Sequence, residues 1–374
     1  MAKKRRKSKI VLPLWLAVLL VILIVVALYY CYAKGYIKFP DNNIASEDSG
    51  DASFMDNAPS PGNGNLNIYF LDIGQGDCIF IIYPDGKTMI IDAGENKSYV
   101  KDKISAAAKK LNIEEFDYLL LTHADADHAG SMKYVFDNFK IKKVFRPNVH
   151  STKAEAASLR EGLNPKKING GVTQSSATYY NFLYSIQTEE GCKDEIFNFE
   201  SDFSGTYTTG ETSLEYTFDF LTPTEERTEI FYSNANDYSP IVNLSYNGVN
   251  VCLTGDAEAK AEQEYLSVYG SKYDYDVLKV GHHGALTSTS QGFLNAVKPE
   301  YAVISCGTGN KYNHPRQGIL DRLNALKCKV FRTDTNGDIL LSISSESDYK
   351  ISIEKFYLEK TDISNNFVGA DANK

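Results

Sequence analysis

A short segment near residue 125 concentrates side chains that bind metal ions. The apolar run Leu119–Leu121 leads into THADADHAG, which contains His123, Asp125, Asp127 and His128. These groups cannot all lie in an apolar core, because each would need a partner there. An ordinary polar loop could also carry them, but imidazoles and carboxylates together are ligands for divalent metals. The segment therefore predicts a metal site at the end of a buried strand.

Two later segments have the same form, an apolar strand followed by glycine and then a candidate ligand. One is VCLTGDA, which contains Asp256, and the other is DVLKVGHHG, which contains His282 and His283. Glycine lets the backbone approach a site closely. Four of the six histidines of the chain lie in the first and third segments, so we interpret all three segments as parts of one site.

The elements that must position these groups follow from the apolar runs. Short runs divided by Gly, Asp and Pro predict strands at 67–71, 79–83, 88–92, 116–121, 141–145, 216–221, 241–246, 249–253, 277–280, 301–304, 329–332 and 339–343. Helices are predicted at 98–111, 257–269, 291–296 and 317–326. This pattern favours two packed mixed sheets flanked by helices. The signal weakens over residues 151–226, where we expect a long loop or insertion.

The amino-terminal region predicts a membrane anchor. Residues 1–9 are strongly basic, and the uncharged residues 10–33 would span about 36 Å as a helix, enough for a hydrocarbon core of roughly 30 Å. Because few basic residues follow, we expect residues 1–9 in the cytoplasm and the body outside the cell membrane. A cleaved signal peptide is the alternative, but its apolar region is shorter and ends at small residues, whereas this run contains YYCY near its end.

The rest of the chain predicts a linker, one large α/β domain and a tail. Residues 34–65 are rich in polar residues, Gly and Pro, which predicts a flexible linker. We expect residues 66–360 to form the domain and residues 361–374 to form a polar tail. Residues 1–40 contain eight of the 39 Lys and Arg and no acid, which leaves 31 basic against 48 acidic residues, a charge of −17, in the remainder. So acidic a body lacks the basic surface of a protein that coats nucleic acid.

Taken together, these motifs resemble those of a known family. A strand followed by H-x-D-x-D-H and glycine resembles the H-x-H-x-D-H signature of the metallo-β-lactamase fold hydrolases, with Asp125 in place of the second histidine. Over residues 66–345 the chain is similar to the extracytoplasmic hydrolase domain of ComEC-type competence proteins. The other motifs in that style are FLDIGQGD from Phe70, IIDAG from Ile90, LTGD from Leu253, LKVGHHG from Leu278, TSTS from Thr287, GNKYNHP from Gly309 and FRTD from Phe331.

The resemblance implies an α/β fold, an αββα four-layer sandwich with two divalent metal ions at one edge. The implied metal ligands are His123, Asp125, Asp127, His128, Asp256 and His283. His123 and Asp125 would face the first ion, and Asp127 and His128 the second. Asp256 would bridge the two ions, and His283 would complete the second site. Because Asp125 makes the donor set richer in oxygen than a typical zinc pair, Mn²⁺ competes with Zn²⁺ as the metal.

Two histidine assignments stay open at this point. Adjacent side chains on an extended segment diverge, so we expect only one of His282 and His283 to bind the same ion and favour His283, with His282 contacting the substrate phosphate. Many relatives have a further histidine between the H-x-H-x-D-H motif and the aspartate that corresponds to Asp256. In that interval this chain offers only His150. His150 is more simply interpreted as a surface residue, which leaves the first ion short of a protein ligand.

Other residues could act on the substrate or support the ligands. The catalytic candidates are Asp127, which would also orient the attacking water, His282, and His314 in the NHP segment. The candidates for orienting ligands or contacting substrate are Asp72, Asp77, Asp92, Asn236 and Ser239. The three aspartates could instead cap turns, and Asn and Ser are common in loops.

These observations lead to three hypotheses. The first is a membrane-anchored, extracytoplasmic phosphodiesterase or nuclease in which a metal-activated hydroxide attacks phosphorus, with single-stranded DNA as the substrate that the resemblance implies. The second keeps the hydrolase but replaces DNA by a small or cell-wall phosphodiester. The third is a non-catalytic surface module with a structural metal, against which the proposed water-orienting Asp127 weighs, because a structural site fills its coordination shell.

Overall fold

The computed structural model describes residues 62–224, 232–344 and 351–356. Within these ranges no helix is long and apolar enough to cross a membrane. Four predictions lie wholly or almost wholly outside the described residues: the basic tail at 1–9, the membrane helix at 10–33, the linker at 34–65 and the tail at 361–374.

The first sheet is built from both ends of the described chain. Its eight strands among the described residues are β1 (Leu66–Phe70), β2 (Ile79–Ile82), β3 (Thr88–Ile91), β4 (Glu115–Leu120), β5 (Lys140–Arg146), β8 (Lys193–Ile196), β16 (Asp338–Ile343) and β17 (Ile351–Phe356). Their spatial order is β17-β16-β1-β2-β3-β4-β5-β8. The strands from β17 to β3 pair antiparallel, with Ile68 opposite Ile81, whereas β3, β4, β5 and β8 run parallel, with Met89 beside Tyr118.

The second sheet contains the later strands. Its seven strands among the described residues are β9 (Phe203–Thr209), β10 (Thr212–Phe220), β11 (Val242–Tyr246), β12 (Val249–Leu253), β13 (Val277–Lys279), β14 (Tyr301–Ile304) and β15 (Lys329–Arg332). They lie in the order β15-β14-β13-β12-β11-β10-β9. Strands β12 to β15 are parallel, and the others are antiparallel. A short parallel pair is formed by β6 (His150–Ser151) and β7 (Thr173–Gln174).

Helices connect and cover the strands. In the described ranges they are α1 (Ser98–Lys110), α2 (Ala126–Ala129), α3 (Met132–Asn138), α4 (Ala177–Thr188), α5 (Ala259–Val268), α6 (Gln291–Val297), α7 (Gln317–Ala325) and α8 (Thr333–Asn336). The buried residues of α1 include Val100, Ile104 and Ala107, spaced by three and four positions. This spacing places one apolar stripe against the first sheet.

Alternate residues of each strand face different cores. In β1, Ile68 and Phe70 pack between the two sheets, whereas Tyr69 packs with the helices over the first sheet. In β14, Val303 packs between the sheets and Ile304 with the helices over the second sheet. Each fully buried Ile, Val or Phe side chain contributes about 1.5–3 kcal/mol to folding. The prediction of a mixed α/β fold with two facing sheets flanked by helices is confirmed.

Residues 151–226 differ from the sequence-based expectation. They contain helix α4 and the hairpin β9–β10 rather than a long loop. The amphipathic spacing of α4 is present, since Tyr179, Phe182 and Ile186 are buried and Ser176 caps its first turn, but aromatic residues are weak helix formers. Strand β9 is rich in Thr and Ser and half exposed, so its apolar alternation is faint. The alternation is clear in the second half of β10, which the prediction at 216–221 had found.

The parallel strands determine where the candidate site lies. Asp92 directly follows β3, and His123 follows β4, its parallel neighbour. In the second sheet, Asp256 follows β12, and His282 follows β13, which is also parallel to its neighbour. Parallel neighbours end at the same edge of a sheet, which is where α/β folds bind ligands. The predicted ligands therefore lie at the carboxyl ends of strands from both sheets.

Candidate metal centre

One carboxylate oxygen lies among four imidazole rings. Asp256 Oδ2 is 3.3 Å from His128 Nε2 and 3.4 Å from His283 Nε2. It is 3.9 Å from His123 Nε2 and 3.8 Å from His282 Nε2. The first and third segments, separated by more than 150 residues in sequence, thus meet at Asp256 of the second segment.

We call Asp127, His128 and His283 the inner group; both histidines are fully buried, and the Asp127 side chain is 25% exposed. Their ligand atoms lie within 4.8 Å of one another. His128 Nε2 is 3.3 Å from His283 Nε2, which in turn is 3.5 Å from Asp127 Oδ2. His128 Nδ1 lies 2.7 Å from the Asp92 carboxylate, and His283 Nδ1 lies 2.9 Å from the Ser305 carbonyl oxygen. Each Nδ1–H is therefore donated outward, and both Nε2 lone pairs face the same point.

Such an arrangement favours a cation between the two rings. Two neutral imidazoles with their Nδ1 protons in place would direct lone pairs at each other, which is repulsive without a positive charge between them. Burial alone would lower the pKa of His283, but the carboxylates of Asp256, Asp127 and Asp77 together outweigh burial and raise that pKa well above its usual value. The inner group therefore has the charge preference of a divalent metal site.

His123 and Asp125 form the outer group. His123 Nε2 lies 3.9 Å from Asp125 Oδ2, and the Asp125 side chain is 42% exposed whereas that of His123 is buried. Burial, followed by the positive charge of His128, lowers the pKa of His123 to about 3. Hydroxyls are its Nδ1 partners, Thr122 Oγ1 at 3.1 Å and Ser239 Oγ at 3.2 Å. His123 is thus held neutral, as a metal ligand must be.

A buried ion pair lies next to His283, on the side of its Nδ1 atom. Lys279 Nζ, at the end of β13, lies 2.8 Å from Asp77 Oδ2, and both side chains are almost fully buried. Asp77 Oδ1 is 3.4 Å from His283 Nδ1. Burial alone would raise the pKa of Asp77, but the Lys279 ammonium and the His283 ring together outweigh burial and lower the pKa to about 2. The pair connects the loop before β2 in the first sheet to β13 in the second.

The backbone at His282 and His283 is not the extended segment assumed from sequence. His282 has φ 46° and His283 has φ 55°, both left-handed, between Gly281 and Gly284. This conformation is uncommon for residues other than glycine. It corrects the premise that the two rings diverge, because it brings the Nε2 atoms of both to within 4 Å of Asp256 Oδ2. An extended pair would have pointed one ring away.

Glu258 belongs to the site, although sequence reasoning missed it. Its Oε1 lies 2.7 Å from His282 Nδ1 and accepts hydrogen bonds from Thr287 Oγ1 at 2.6 Å and Asn236 Nδ2 at 3.1 Å. Burial would raise the pKa of Glu258, but these hydrogen bonds, that from His282 first, lower it to about 2. Glu258 therefore holds the Nδ1 proton of His282 and turns Nε2 towards Asp256. Its place two residues after Asp256 was the only signal in the sequence.

The remaining candidates occupy different positions. Asn236 contacts Glu258 and lies 3.3 Å from His282 Nδ1, so it supports that pair. The His314 ring lies 5.5 Å from that of His282, centroid to centroid. Asp72 Oδ1 accepts from the Gly74 amide and caps a turn. His150 Nδ1 lies 2.7 Å from the Pro165 carbonyl oxygen, and no metal-ligating cluster within the described ranges includes it.

The donor atoms present fit one or two divalent ions. Among the described residues, His123 Nε2 and Asp256 Oδ1 are buried and have no hydrogen-bond partner. Such atoms cost folding free energy unless another partner is present. Imidazole nitrogens with carboxylate oxygens suit Zn²⁺, and the share of oxygen also suits Mn²⁺. His128 and Asp92 form the carboxylate–histidine pair that commonly supports a metal ligand.

Comparison with curated proteins finds competence proteins. The chain is 29% identical over 290 residues to "ComE operon protein 3" of Bacillus subtilis (strain 168), which covers 72% of this chain and 32% of that protein. It is 25% identical over 291 residues to "Competence protein ComA" of Neisseria gonorrhoeae, covering 77% of this chain and 34% of that protein. The chain thus spans about a third of the length of these relatives.

Solved structures that superpose partly on this chain include a beta-hydroxylase and a metallo-beta-lactamase. "CmlA beta-hydroxylase E377D mutant" has a TM-score of 0.42 at 12% identity and covers 76% of this chain and 54% of that chain. The metallo-beta-lactamase SMB-1 has a TM-score of 0.33 at 13% identity and covers 61% of this chain and 82% of that one. The sequence profile of the Metallo-beta-lactamase superfamily matches residues 71–308, which is more than half of the chain. The chain belongs to the metallo-beta-lactamase superfamily, whose members are metal-dependent hydrolases and which includes the ComEC-like competence proteins.

Proposed function

We propose that this chain is a phosphodiesterase that cleaves DNA at the metal centre described above. The observation that carries the proposal is the convergence of His128 Nε2 and His283 Nε2, 3.3 Å apart, beside Asp256. His128, His283 and Asp256 would together hold a divalent ion, and His123 and Asp125 beside them would hold a second one. The two-ion arrangement suits hydrolysis of phosphodiesters. The likeness to competence proteins supports DNA as the polymer.

The residues around the centre have separate tasks in this reaction. Bound divalent ions lower the pKa of a water molecule and neutralise charge on the phosphate. Asp127, whose side chain is 25% exposed, orients the attacking water from the open side. His282, fixed by Glu258 at Nδ1, would carry a second proton on Nε2 and donate it to a non-bridging oxygen of the phosphate.

His314 contributes a second polar contact to the substrate. Burial, with the charges of His282 and His283, lowers the pKa of His314 to about 4, so the ring is neutral at pH 7. Among the described residues its Nδ1 has no hydrogen-bond partner. Because this nitrogen is buried, we place the other ring nitrogen, Nε2, against the leaving group, where it donates or accepts according to the tautomer.

We further propose that residues 10–33 anchor the chain in the cell membrane with the enzyme outside. The uncharged run and the basic residues before it support this placement. The bilayer would then be a partner of residues 10–33, and DNA at the outer surface the substrate. Expression of fusions with a reporter active only outside the cytoplasm, placed at either end of the chain, tests the orientation. Activity from the amino-terminal fusion would contradict it.

The activity is tested with the full chain, purified in detergent. Metal content is measured, and single-stranded DNA, duplex DNA and bis(p-nitrophenyl) phosphate are assayed with Mn²⁺ and with Zn²⁺. Asp127→Asn and His128→Ala should abolish hydrolysis, whereas His150→Ala, a matched histidine variant outside the centre, should not change it. Cleavage of the small diester but of neither DNA would replace DNA by a small or cell-wall phosphodiester. A metal-loaded protein that hydrolyses no diester would overturn the proposal.

A further inference from the structure

Two large apolar side chains are exposed on the loops that border the metal centre. Leu286 is 55% exposed and follows the loop of His282 and His283, and Tyr312 is 43% exposed and lies two residues before His314. These loops pack together, since the Arg316 amide donates to the Gly284 carbonyl oxygen at 2.9 Å. A single exposed apolar residue needs no explanation. The surroundings of Tyr312, however, have a specific arrangement.

Tyr312 begins a row of rings that leads to the metal centre. Its ring stacks on that of His314 with centroids 5.6 Å apart and planes 23° apart. The His314 ring lies 5.5 Å from that of His282 and 6.5 Å from that of His283. A row of neighbouring rings therefore extends from the exposed phenol ring to the histidines beside Asp256, with the His282 ring edge-on to that of His314 at 77°.

The loop that presents Tyr312 is held in place by one side chain. Asn310 Oδ1 accepts hydrogen bonds from the backbone amides of Tyr312 at 3.2 Å and His314 at 2.9 Å. Asn310 Nδ2 donates to the Gly307 carbonyl oxygen at 2.9 Å. A ring on such a loop loses little freedom when a ligand stacks on it, which reduces the entropic cost of binding.

The same loop is positively charged although the chain is acidic. Residues 305–320 contain Lys311 and Arg316 and no Asp or Glu, in a chain with a net charge of −9. The Lys311 ammonium lies 4.9 Å from the centroid of the Tyr312 ring, over its face. This side chain is exposed and flexible, so another flat group can take its place on the ring while the ammonium pairs with a nearby phosphate.

We propose that Tyr312 is a stacking platform for an unpaired nucleobase next to the phosphodiester held at the metal centre, with Lys311 on the adjoining phosphate. The inference rests on the proposed function and assigns to Tyr312 and Lys311 the preference of that site for an unpaired strand. Aromatic rings combined with cations are how proteins bind single strands without sequence preference. A paired base inside a duplex has no free face to offer. The platform thus selects unpaired strands and contributes to KM rather than to the chemical step.

The test compares two substrates that differ only in their bases. Full-length protein with Mn²⁺ is assayed on a short single-stranded oligonucleotide and on the same backbone with abasic residues. We expect Tyr312→Ala to raise KM for the oligonucleotide by about 5- to 100-fold with little change for the abasic substrate. Tyr312→Phe should retain the wild-type KM, because the ring remains. Tyr184→Ala, at an exposed tyrosine of α4, is the matched control and should change neither KM.

Other outcomes contradict the inference in distinguishable ways. If Tyr312→Ala changed KM equally for both substrates, the role of Tyr312 would be structural. If KM for the oligonucleotide did not change, Tyr312 would not contact the base. A selective loss on p-nitrophenylphosphorylcholine would assign the ring to a cationic headgroup instead. If the wild-type protein cleaves small diesters but neither oligonucleotide, the platform inference fails while phosphodiesterase activity stands. If it cleaves no diester, the proposed function itself is wrong.

Discussion

The inner and outer groups of the metal centre differ in how they are supported. The inner residues His128 and His283 are fully buried, and the charged residues Asp92 and Asp77 lie at their Nδ1 atoms. In the outer group, hydroxyls support His123, and the Asp125 side chain is 42% exposed. A carboxylate behind a histidine raises its basicity and fixes its orientation more strongly than a hydroxyl does. We therefore expect an inner ion that binds tightly and an outer ion that exchanges with solvent.

Removing the cation beneath the inner group should have a severe effect on stability. In Lys279→Met, Asp77 becomes a buried carboxylate without its countercharge, and we expect a loss of about 3–5 kcal/mol in the free energy of unfolding. Urea unfolding of the full chain in detergent measures this. The double variant Lys279→Met with Asp77→Asn should recover most of the loss, because no buried charge remains. Equal destabilisation of the single and double variants would show that packing, not charge, makes the pair necessary.

Changing the carboxylate behind His128 should weaken only the inner ion. In Asp92→Asn the side chain keeps its shape and can still accept a hydrogen bond from Thr122 Oγ1. In the unmodified protein this hydroxyl oxygen lies 2.7 Å from Asp92 Oδ2. It lacks the charge that supports His128, so Asp92→Asn should lower the affinity of one of two sites by about 10- to 100-fold. Titration calorimetry with Mn²⁺ resolves the two sites. A uniform decrease at both would contradict the separation into inner and outer groups.

The Glu258–His282 pair lies on the outer side of Asp256 and should affect turnover more than metal binding. Glu258→Ala removes the acceptor of the His282 Nδ1–H hydrogen bond, so the ring is no longer held in place. We expect kcat for a small diester to fall by about tenfold, or 1.4 kcal/mol. Glu258→Gln can still accept that hydrogen bond and should recover part of the rate. Metal stoichiometry by atomic emission should stay unchanged in both variants. Loss of one equivalent of metal would instead make His282 a ligand.

A change in the outer group alone should have the mildest effect. Asp125→His supplies a second imidazole there, and we expect Zn²⁺ affinity of the weaker site to rise by about fivefold, close to 1 kcal/mol. Competition with a chromogenic chelator measures it. Asp137→His, at an exposed acid of α3 paired with Lys133, is the control and should have no effect. An increase at the tighter site would show that Asp125 faces the inner ion.

The strands and their ends could be predicted because local patterns determine them. The runs at β12, β14 and β15 coincide with the observed bounds, since continuous apolar residues between turn residues predict a buried strand. The dense His and Asp motifs likewise predicted which groups converge. Asp77 and Asp92 could be named only as alternatives between ligand support and turn capping.

What could not be predicted depends on tertiary contacts. Asp77 and Lys279 are about 200 residues apart, and neither is unusual in its local segment, so one sequence gives no signal of their pairing. Glu258 lies at the start of a helix, where an acidic residue is common in any protein. The left-handed backbone at His282 and His283 was missed because propensity assigns that conformation to glycine and asparagine.

The Asp77–Lys279 pair and the metal ligands connect the same two sheets at the same edge. His128 lies in helix α2, which follows β4 of the first sheet, and His283 follows β13 of the second, so an ion held by both would connect the two sheets, as the ion pair does without a metal. The Asp77–Lys279 ion pair is always present, whereas a metal ion can be removed. We therefore expect a protein stripped by a chelator to keep its sheets closed, with a modest fall in melting temperature, and to reload without refolding.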